Sequence, residues 1–98
     1  MVRHVLLLRP KADATADSIE AARLSLAALV GRVHGLLDFH WSANLAPVER
    51  RDGYTHGFSM DFLDAASLAA YGPHPEHQAA SIKVREAFEH VSVLDLDL

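Results

Sequence analysis

The 98-residue sequence contains no cysteine. Without thiols the chain cannot form disulfides, bind a metal through thiolates or use a cysteine nucleophile. Basic residues are also few, since nine Lys and Arg stand against thirteen Asp and Glu, and the formal charge of −4 argues against a nucleic-acid or anionic-membrane surface. No apolar run approaches the roughly 18 residues of a membrane span, and the start lacks a signal-peptide pattern. We therefore expect a cytoplasmic protein with no membrane or nucleic-acid partner.

The composition is that of a folded globular chain. Half of the residues are hydrophobic and 22% are charged, which is not the balance of a disordered sequence. Domains usually contain roughly 100–200 residues, so we expect residues 1–98 to form one domain. A chain of this size buries only about 60–65% of its unfolded surface, and its own core is modest.

Apolar periodicity and turn residues divide the chain into four strands and three helical segments. Strands are predicted over Val2–Arg9, Leu36–Asn44, Tyr54–Leu63 and Val91–Leu98. The first helix is capped by Thr15 and carries an apolar stripe that continues to Val33. Asp64 caps a short helix that reaches about Tyr71, and Pro75 begins a helix that reaches about Glu89. The segment Gly72-Pro73 separates these two helices.

This order predicts an α+β fold of the ferredoxin-like β-α-β-β-α-β type, with a four-stranded antiparallel sheet and helices on one face. The strands carry apolar side chains on both faces. These include Val5 and Leu7 on the first strand and Val91 and Val93 on the last, or the residues that alternate with them along each strand. A bare apolar sheet face marks an association site. We therefore expect a homodimer in which two sheets pack face to face into a closed or nearly closed α/β barrel.

The most informative segment for chemistry runs from Tyr71 to His77. A tyrosine ends one helix, a kink follows, and a histidine occupies the first turn of the next helix. A helix N-terminus disfavours a protonated histidine, so His77 is a candidate neutral base. The kink brings the Tyr71 phenol and the His77 imidazole close together without a long loop.

Two further histidines lie on strands that are neighbours in this fold. If the face that carries Phe58 and Met60 meets the helices, His56 points into the same layer as His77, and His4 joins them if the even-numbered residues of the first strand share that face. Three imidazoles and a phenol among apolar side chains would make a small-molecule site. We predict that His77 and Tyr71 are catalytic and that His4, His56, Phe58 and Met60 bind substrate.

Each of these residues also has a purely structural interpretation. His4 and His56 could be core histidines that bond to a backbone carbonyl, and Tyr71 could be a packing residue with its hydroxyl at the surface. His74, directly before Pro75, fits a helix cap, and Asn44 fits a turn or a loop anchor. The remaining histidines, which we expect to have no chemical role, are His34, His40 and His90.

A metal site is not predicted. His74 and His77 lie three residues apart, whereas the characteristic zinc helix places two histidines four residues apart with a glutamate between them. Phosphate-binding loops, dinucleotide fingerprints and nucleophile elbows are absent. No cofactor is therefore expected.

Taken together, several motifs resemble the stress-responsive dimeric α/β-barrel (Dabb) family over essentially the whole chain. The matching residues are Arg3-His4-Val5, Asn44, Gly53-Tyr54-Thr55-His56 and Tyr71-x-x-His74-Pro75-x-His77. The resemblance implies a homodimeric ferredoxin-like barrel, in agreement with the argument from the sheet faces.

The family includes a plant polyketide cyclase that closes a linear poly-β-ketone by intramolecular aldol condensation without metal or cofactor. By this resemblance His77 is the general base and Tyr71 orients or polarises the carbonyl, while His4 and His56 match cavity histidines of the family. Gly72-Pro73 departs from the bulky aliphatic residues of that enzyme, so the pocket shape differs. Family membership fixes fold better than function.

Three functions therefore stay open at this point. The first is a cofactor-independent cyclase or related lyase that acts on a small apolar or polyketide-like molecule. The second is a stress-response protein that binds an apolar ligand without chemistry, and the third is a cofactor-free monooxygenase of the wider barrel superfamily. A ligand-binding protein would need neither Tyr71 nor His77, whereas an enzyme would depend on both.

Overall fold

The structure, a computed structural model, describes residues 1–98. Its elements are β1 Val2–Pro10, α1 Ala16–Ala27, β2 Leu36–Ala43, β3 His56–Phe62, α2 Ala65–Tyr71, α3 Pro75–Ala87 and β4 Phe88–Asp97. The predicted order of strands and helices is confirmed, and a short 3₁₀ turn over Val48–Arg50 lies between β2 and β3. None of the helices combines the length and apolarity needed to cross a bilayer.

The four strands form one sheet in the order β2-β3-β1-β4, with every neighbouring pair antiparallel. This is the predicted ferredoxin-like sheet, with β1 and β3 at its centre. The register places His4 opposite Met60 of β3 and Asp95 of β4. Residues that lie directly opposite one another share a face of the sheet, so His4 and Asp95 face the same layer.

Local hydrogen bonds explain where the helices begin. The Thr15 hydroxyl accepts a hydrogen bond from the Ser18 amide at 3.0 Å, and the Ser18 hydroxyl accepts one from the Thr15 amide at 3.0 Å. Asp64 caps α2 by accepting from the Ser67 amide at 2.8 Å. These bonds satisfy amides that have no partner inside the helix. The predicted caps at Thr15 and Asp64 are confirmed.

The first helix ends earlier than its apolar stripe predicts. It stops at Ala27, and the chain continues through turns in which Gly31 and Gly35 adopt φ values of +88° and +82°. Leu29 and Val33 are still buried, at 2% and 4% exposure. The turns therefore replace the last helical segment while they keep its apolar side chains in the core.

The core lies between one face of the sheet and the helices. Phe58, Met60 and Phe62 are buried on this face, and Met60 and Phe62 are completely inaccessible. The predicted inward face of β3 is therefore confirmed for these three residues. Tyr54 is an exception, because its hydroxyl hydrogen-bonds His90 and Ser92 on the opposite face. A turn at Gly53, with φ of +79°, precedes the strand and breaks the alternation.

The outer face of the sheet, which no helix covers, is divided between apolar and polar halves. Leu7, Leu94 and Leu96 are exposed there on β1 and β4, at 42%, 57% and 38%. Arg3, also on β1, reaches toward β3, where it donates a hydrogen bond to Asp61 at 2.8 Å. The apolar half agrees with the expectation that both sheet faces carry apolar side chains, but the face is less uniformly apolar than the sequence suggests.

Candidate functional site

A cavity of about 320 Å³ lies between the sheet and α3. Ligand pockets usually measure about 300–1,000 Å³, so this cavity suits a small molecule. Its polar lining consists of His4, Tyr71, His77, Ser81 and Arg85. The remaining lining residues are apolar and include Leu6 and Phe58. The structure therefore brings together three of the residues that the sequence singles out for chemistry, namely His4, Tyr71 and His77.

The kink between α2 and α3 fixes the tautomer of His77. The imidazole Nδ1 lies 2.8 Å from the carbonyl oxygen of Gly72. A carbonyl only accepts hydrogen bonds, so Nδ1 must carry a proton and donate it. In the neutral ring Nε2 then keeps its lone pair, as a general base requires. The half-buried His77 side chain thus has its basic nitrogen free.

Tyr71 ends α2 beside this imidazole. Its ring centroid lies 4.2 Å from that of His77 and 5.1 Å from that of Phe62. The residue is only 4% exposed, and burial raises the pKa of its hydroxyl well above the usual range. The hydroxyl is therefore protonated at neutral pH. It makes no hydrogen bond to another protein group and is a free donor at the cavity.

His4 is oriented by a carboxylate from the neighbouring strand. Its Nδ1 lies 2.5 Å from Oδ1 of Asp95, and its ring centroid lies 6.2 Å from that of Tyr71. Asp95 is exposed on the edge strand β4, and its contact with His4 is not anticipated from the sequence. The first and last strands are antiparallel neighbours, so the start of β1 lies beside the end of β4. Counting inward from these two ends could have predicted that residue 95 lies opposite residue 4. A carboxylate on Nδ1 fixes the imidazole orientation in the same way as in other His-carboxylate pairs.

The structure does not place His56 on this cavity. It pairs with Leu8, four residues along β1 from His4, which corresponds to about 13 Å of strand. Its ring packs between Trp41 and Phe88, with centroids 5.9 and 6.0 Å away. Burial lowers the pKa of the His56 imidazole. It lines a separate depression of about 310 Å³ that is bordered by β2 and the outer face.

The two apolar residues predicted to bind substrate have different surroundings. Phe58 lines both the cavity and the depression beside His56, so it can contact a ligand in either. Met60 is fully buried in the core and lines neither. Alternation along a strand correctly predicts which face of the sheet a side chain lies on. How deeply that side chain is buried depends on which helix residues cover it.

The remaining polar candidates have structural partners. His74 Nδ1 accepts a hydrogen bond from the Glu76 amide at 3.0 Å, so the helix cap is confirmed. Asn44 anchors its loop by donating to the Tyr54 carbonyl and accepting from the Ala46 amide. No group of three or more His, Asp or Glu side chains is placed to bind a metal ion.

Sequence reasoning missed Arg85, which also lines the cavity. Its guanidinium donates a hydrogen bond to the Ser81 hydroxyl at 3.1 Å. A helix repeats every 3.6 residues, so positions 77, 81 and 85 lie close to one stripe of α3. This spacing from His77 is the signal that could have identified Arg85.

Comparison with known proteins identifies a family that the chain matches. Residues 2–98 match the stress responsive A/B barrel domain (Dabb) family. The stress-response A/B barrel domain-containing protein HS1 of Arabidopsis thaliana is 30% identical over 94 residues, which span 96% of this chain and 86% of that protein.

Solved structures extend the comparison to the fold. A dimeric ferredoxin-like protein of unknown function from Jannaschia is 29% identical with a TM-score of 0.86, over 99% of this chain and 98% of that chain. The hydroxynitrile lyase from Passiflora edulis is 23% identical with a TM-score of 0.85, over 97% and 90% of the two chains.

Proposed function

The chain belongs to the stress responsive A/B barrel domain family, and we propose that it is a cofactor-independent lyase-type enzyme that catalyses aldol cyclisation of a small poly-β-keto compound. The observation that supports this is the pairing of a free His77 Nε2 with an unpartnered Tyr71 hydroxyl in one apolar cavity. The Passiflora neighbour is a hydroxynitrile lyase, but that likeness shows only the fold, and the proposal is argued from the cavity.

In this mechanism His77 Nε2 removes a proton from the carbon between two carbonyl groups. The electron pair left on that carbon is delocalised onto a carbonyl oxygen, to which the Tyr71 hydroxyl donates a hydrogen bond. The enolate carbon then attacks a second carbonyl of the same chain, and the new alkoxide takes back the proton that His77 Nε2 removed, which restores the neutral base. Donors that are already oriented in a water-poor site stabilise such an oxyanion more strongly than water does.

The other lining residues have supporting roles in this proposal. Leu6 and Phe58 keep water from the reacting atoms and hold a flexible chain folded, so that its two ends meet. His4, oriented by Asp95, is the second imidazole of the cavity and binds the substrate.

The test is turnover of a linear 3,5,7-trioxo thioester, followed by chromatography of the aromatic product against an enzyme-free blank. His77→Ala is expected to reduce turnover by a factor of about 10²–10⁴, the usual contribution of a general base. His34→Ala is the matched control, because His34 is exposed and does not line the cavity. Unchanged turnover in His77→Ala would refute the catalytic assignment.

Ligand binding without chemistry is the second candidate, and the largely apolar walls of the cavity favour it. Under that function, replacement of His77 or Tyr71 leaves affinity for an apolar ligand unchanged, and the wild-type protein turns over nothing.

We also propose that the protein is a homodimer that pairs through the outer face of its sheet. The exposed Leu7, Leu94 and Leu96 form an apolar half-face there, and the Jannaschia relative is described as dimeric. Light scattering is expected to give twice the chain mass of 10.7 kDa. Leu94→Asp should shift the protein toward monomer, whereas Leu24→Asp on α1, also exposed, should not. A wild-type monomer at micromolar concentration would contradict the dimer.

A further inference from the structure

The side of α3 that borders the cavity carries one charged group that the proposed mechanism does not use. Arg85 Nη1 donates to Ser81 Oγ at 3.1 Å, and that hydroxyl in turn donates to the Gln78 carbonyl at 2.9 Å. Ser81 follows His77 by four residues, which is about one helical turn or 6 Å of axial rise. The guanidinium is therefore held beside Ser81, about one turn from the proposed base.

Arg85 differs from most arginines of the chain in having no acidic partner. Arg3, Arg9, Arg23 and Arg32 each form an ion pair, and Lys83 on the same helix pairs with Glu86. No Asp or Glu lines the cavity, so Arg85 is its one permanently charged group. The nearby carboxylate of Asp95 is bonded to His4 and does not line the cavity.

A guanidinium has five N–H donors, and only one of them is used here. The free edge matches the two oxygens of a carboxylate, which arginine binds with two parallel hydrogen bonds. We propose that Arg85 binds a carboxylate of the substrate, so that the cavity selects a short keto acid over the corresponding neutral ketone. The hydrogen bond from Tyr71 to a keto group of the substrate rests on the proposed function. The preference of Arg85 for a carboxylate concerns binding alone and does not depend on catalysis.

The experiment measures binding of an unreactive probe by calorimetry. The probe is 4-oxo-4-phenylbutanoate, which contains a ketone, an apolar ring and a carboxylate, and its methyl ester is the neutral counterpart. The wild-type protein is expected to bind the acid about tenfold more tightly than the ester, since Arg85 is exposed and part of the gain is lost to solvent. High salt should weaken binding of the acid and leave binding of the ester unchanged.

Three variants separate a recognition role from a structural one. Arg85→Gln should bind acid and ester equally, and Arg85→Lys should keep part of the preference because it keeps the charge but loses the planar fork. Arg50→Gln is the matched control, an exposed arginine in the 3₁₀ turn that has no ion pair. It should keep the full preference.

Each other outcome overturns the inference. Equal binding of acid and ester by the wild-type protein, or a preference that survives in Arg85→Gln, removes Arg85 as the carboxylate site. Binding of neither probe refutes the substrate class. Displacement of the acid by inorganic phosphate at lower concentration than by acetate would assign the site to a phosphate group instead.

Failure of the proposed function gives a different result. A protein that binds the acid selectively and performs no chemistry, with the same selectivity in His77→Ala, retains this inference and loses the enzymatic one.

Discussion

Replacement of each buried tyrosine by phenylalanine separates a hydroxyl that serves a substrate from one that serves the fold. Tyr71 and Tyr54 are similarly buried, at 4% and 8% exposure. The Tyr54 hydroxyl lies 2.8 Å from His90 Nδ1 and 2.8 Å from Ser92 Oγ, whereas the Tyr71 hydroxyl bonds to no protein group. The substitution removes the same atom at both sites, so the difference in outcome reports the difference in partners.

The magnitudes follow from the hydrogen bonds that are lost. Each protein hydrogen bond contributes roughly 0.5–1.5 kcal/mol net, so Tyr54→Phe should lower the free energy of unfolding by about 1–3 kcal/mol. Tyr71→Phe breaks no such bond, and its free energy of unfolding should stay within about 0.5 kcal/mol of the wild type. Turnover should show the reverse, with a loss of about 10²–10³ for Tyr71→Phe, the usual effect of removing one oxyanion donor.

The assay combines urea denaturation at one fixed protein concentration with turnover of the trioxo thioester. A fixed concentration is needed because association makes apparent stability concentration-dependent. If Tyr71→Phe destabilises the protein as much as Tyr54→Phe, the Tyr71 hydroxyl is structural. If its turnover equals that of the wild type, the hydroxyl has no role in the reaction.

Two further predictions concern the backbone at Gly35 and the charge of His56. Gly35→Ala should lower the free energy of unfolding by more than about 1 kcal/mol, since φ is +82° and a Cβ would lie 2.2 Å from the Ser67 hydroxyl. Gly72→Ala is the control, because a Cβ there would meet no atom within 4 Å, and its effect on stability should be neutral or favourable. Thermal melts measure both variants. In an NMR titration His56 should show a pKa below that of an exposed histidine, and stability should therefore fall as pH drops below about 6.5, because the unfolded chain binds the proton more readily. His56→Gln should reduce that pH dependence, and an unchanged dependence would contradict the assignment.

Much of the fold could be predicted because it depends on interactions between residues that are close in the sequence. Helix caps depend on residues within one turn of each other, so Thr15 and Asp64 could be identified from sequence. Inward faces depend on alternation, which correctly placed Phe58 and Phe62 toward the helices. The end of α1 was less predictable, because an apolar stripe continues to Val33 whether the chain is helical or turns.

The candidate site was predictable only where sequence neighbours form it. Tyr71 and His77 flank one kink, so their proximity follows from local structure. His56 shares a face with His4, but its distance along the sheet depends on strand register. Asp95 depends on the same register, and its contact with His4 joins residues at opposite ends of the chain.

The most direct test of the account is a crystal structure of the protein with 1-phenylbutane-1,3-dione. The account predicts the dione in the cavity between the sheet and α3, with one oxygen about 3 Å from the Tyr71 hydroxyl and its central carbon about 3–3.5 Å from His77 Nε2. A dione bound instead in the depression beside His56, or a cavity filled by its own side chains, would contradict it.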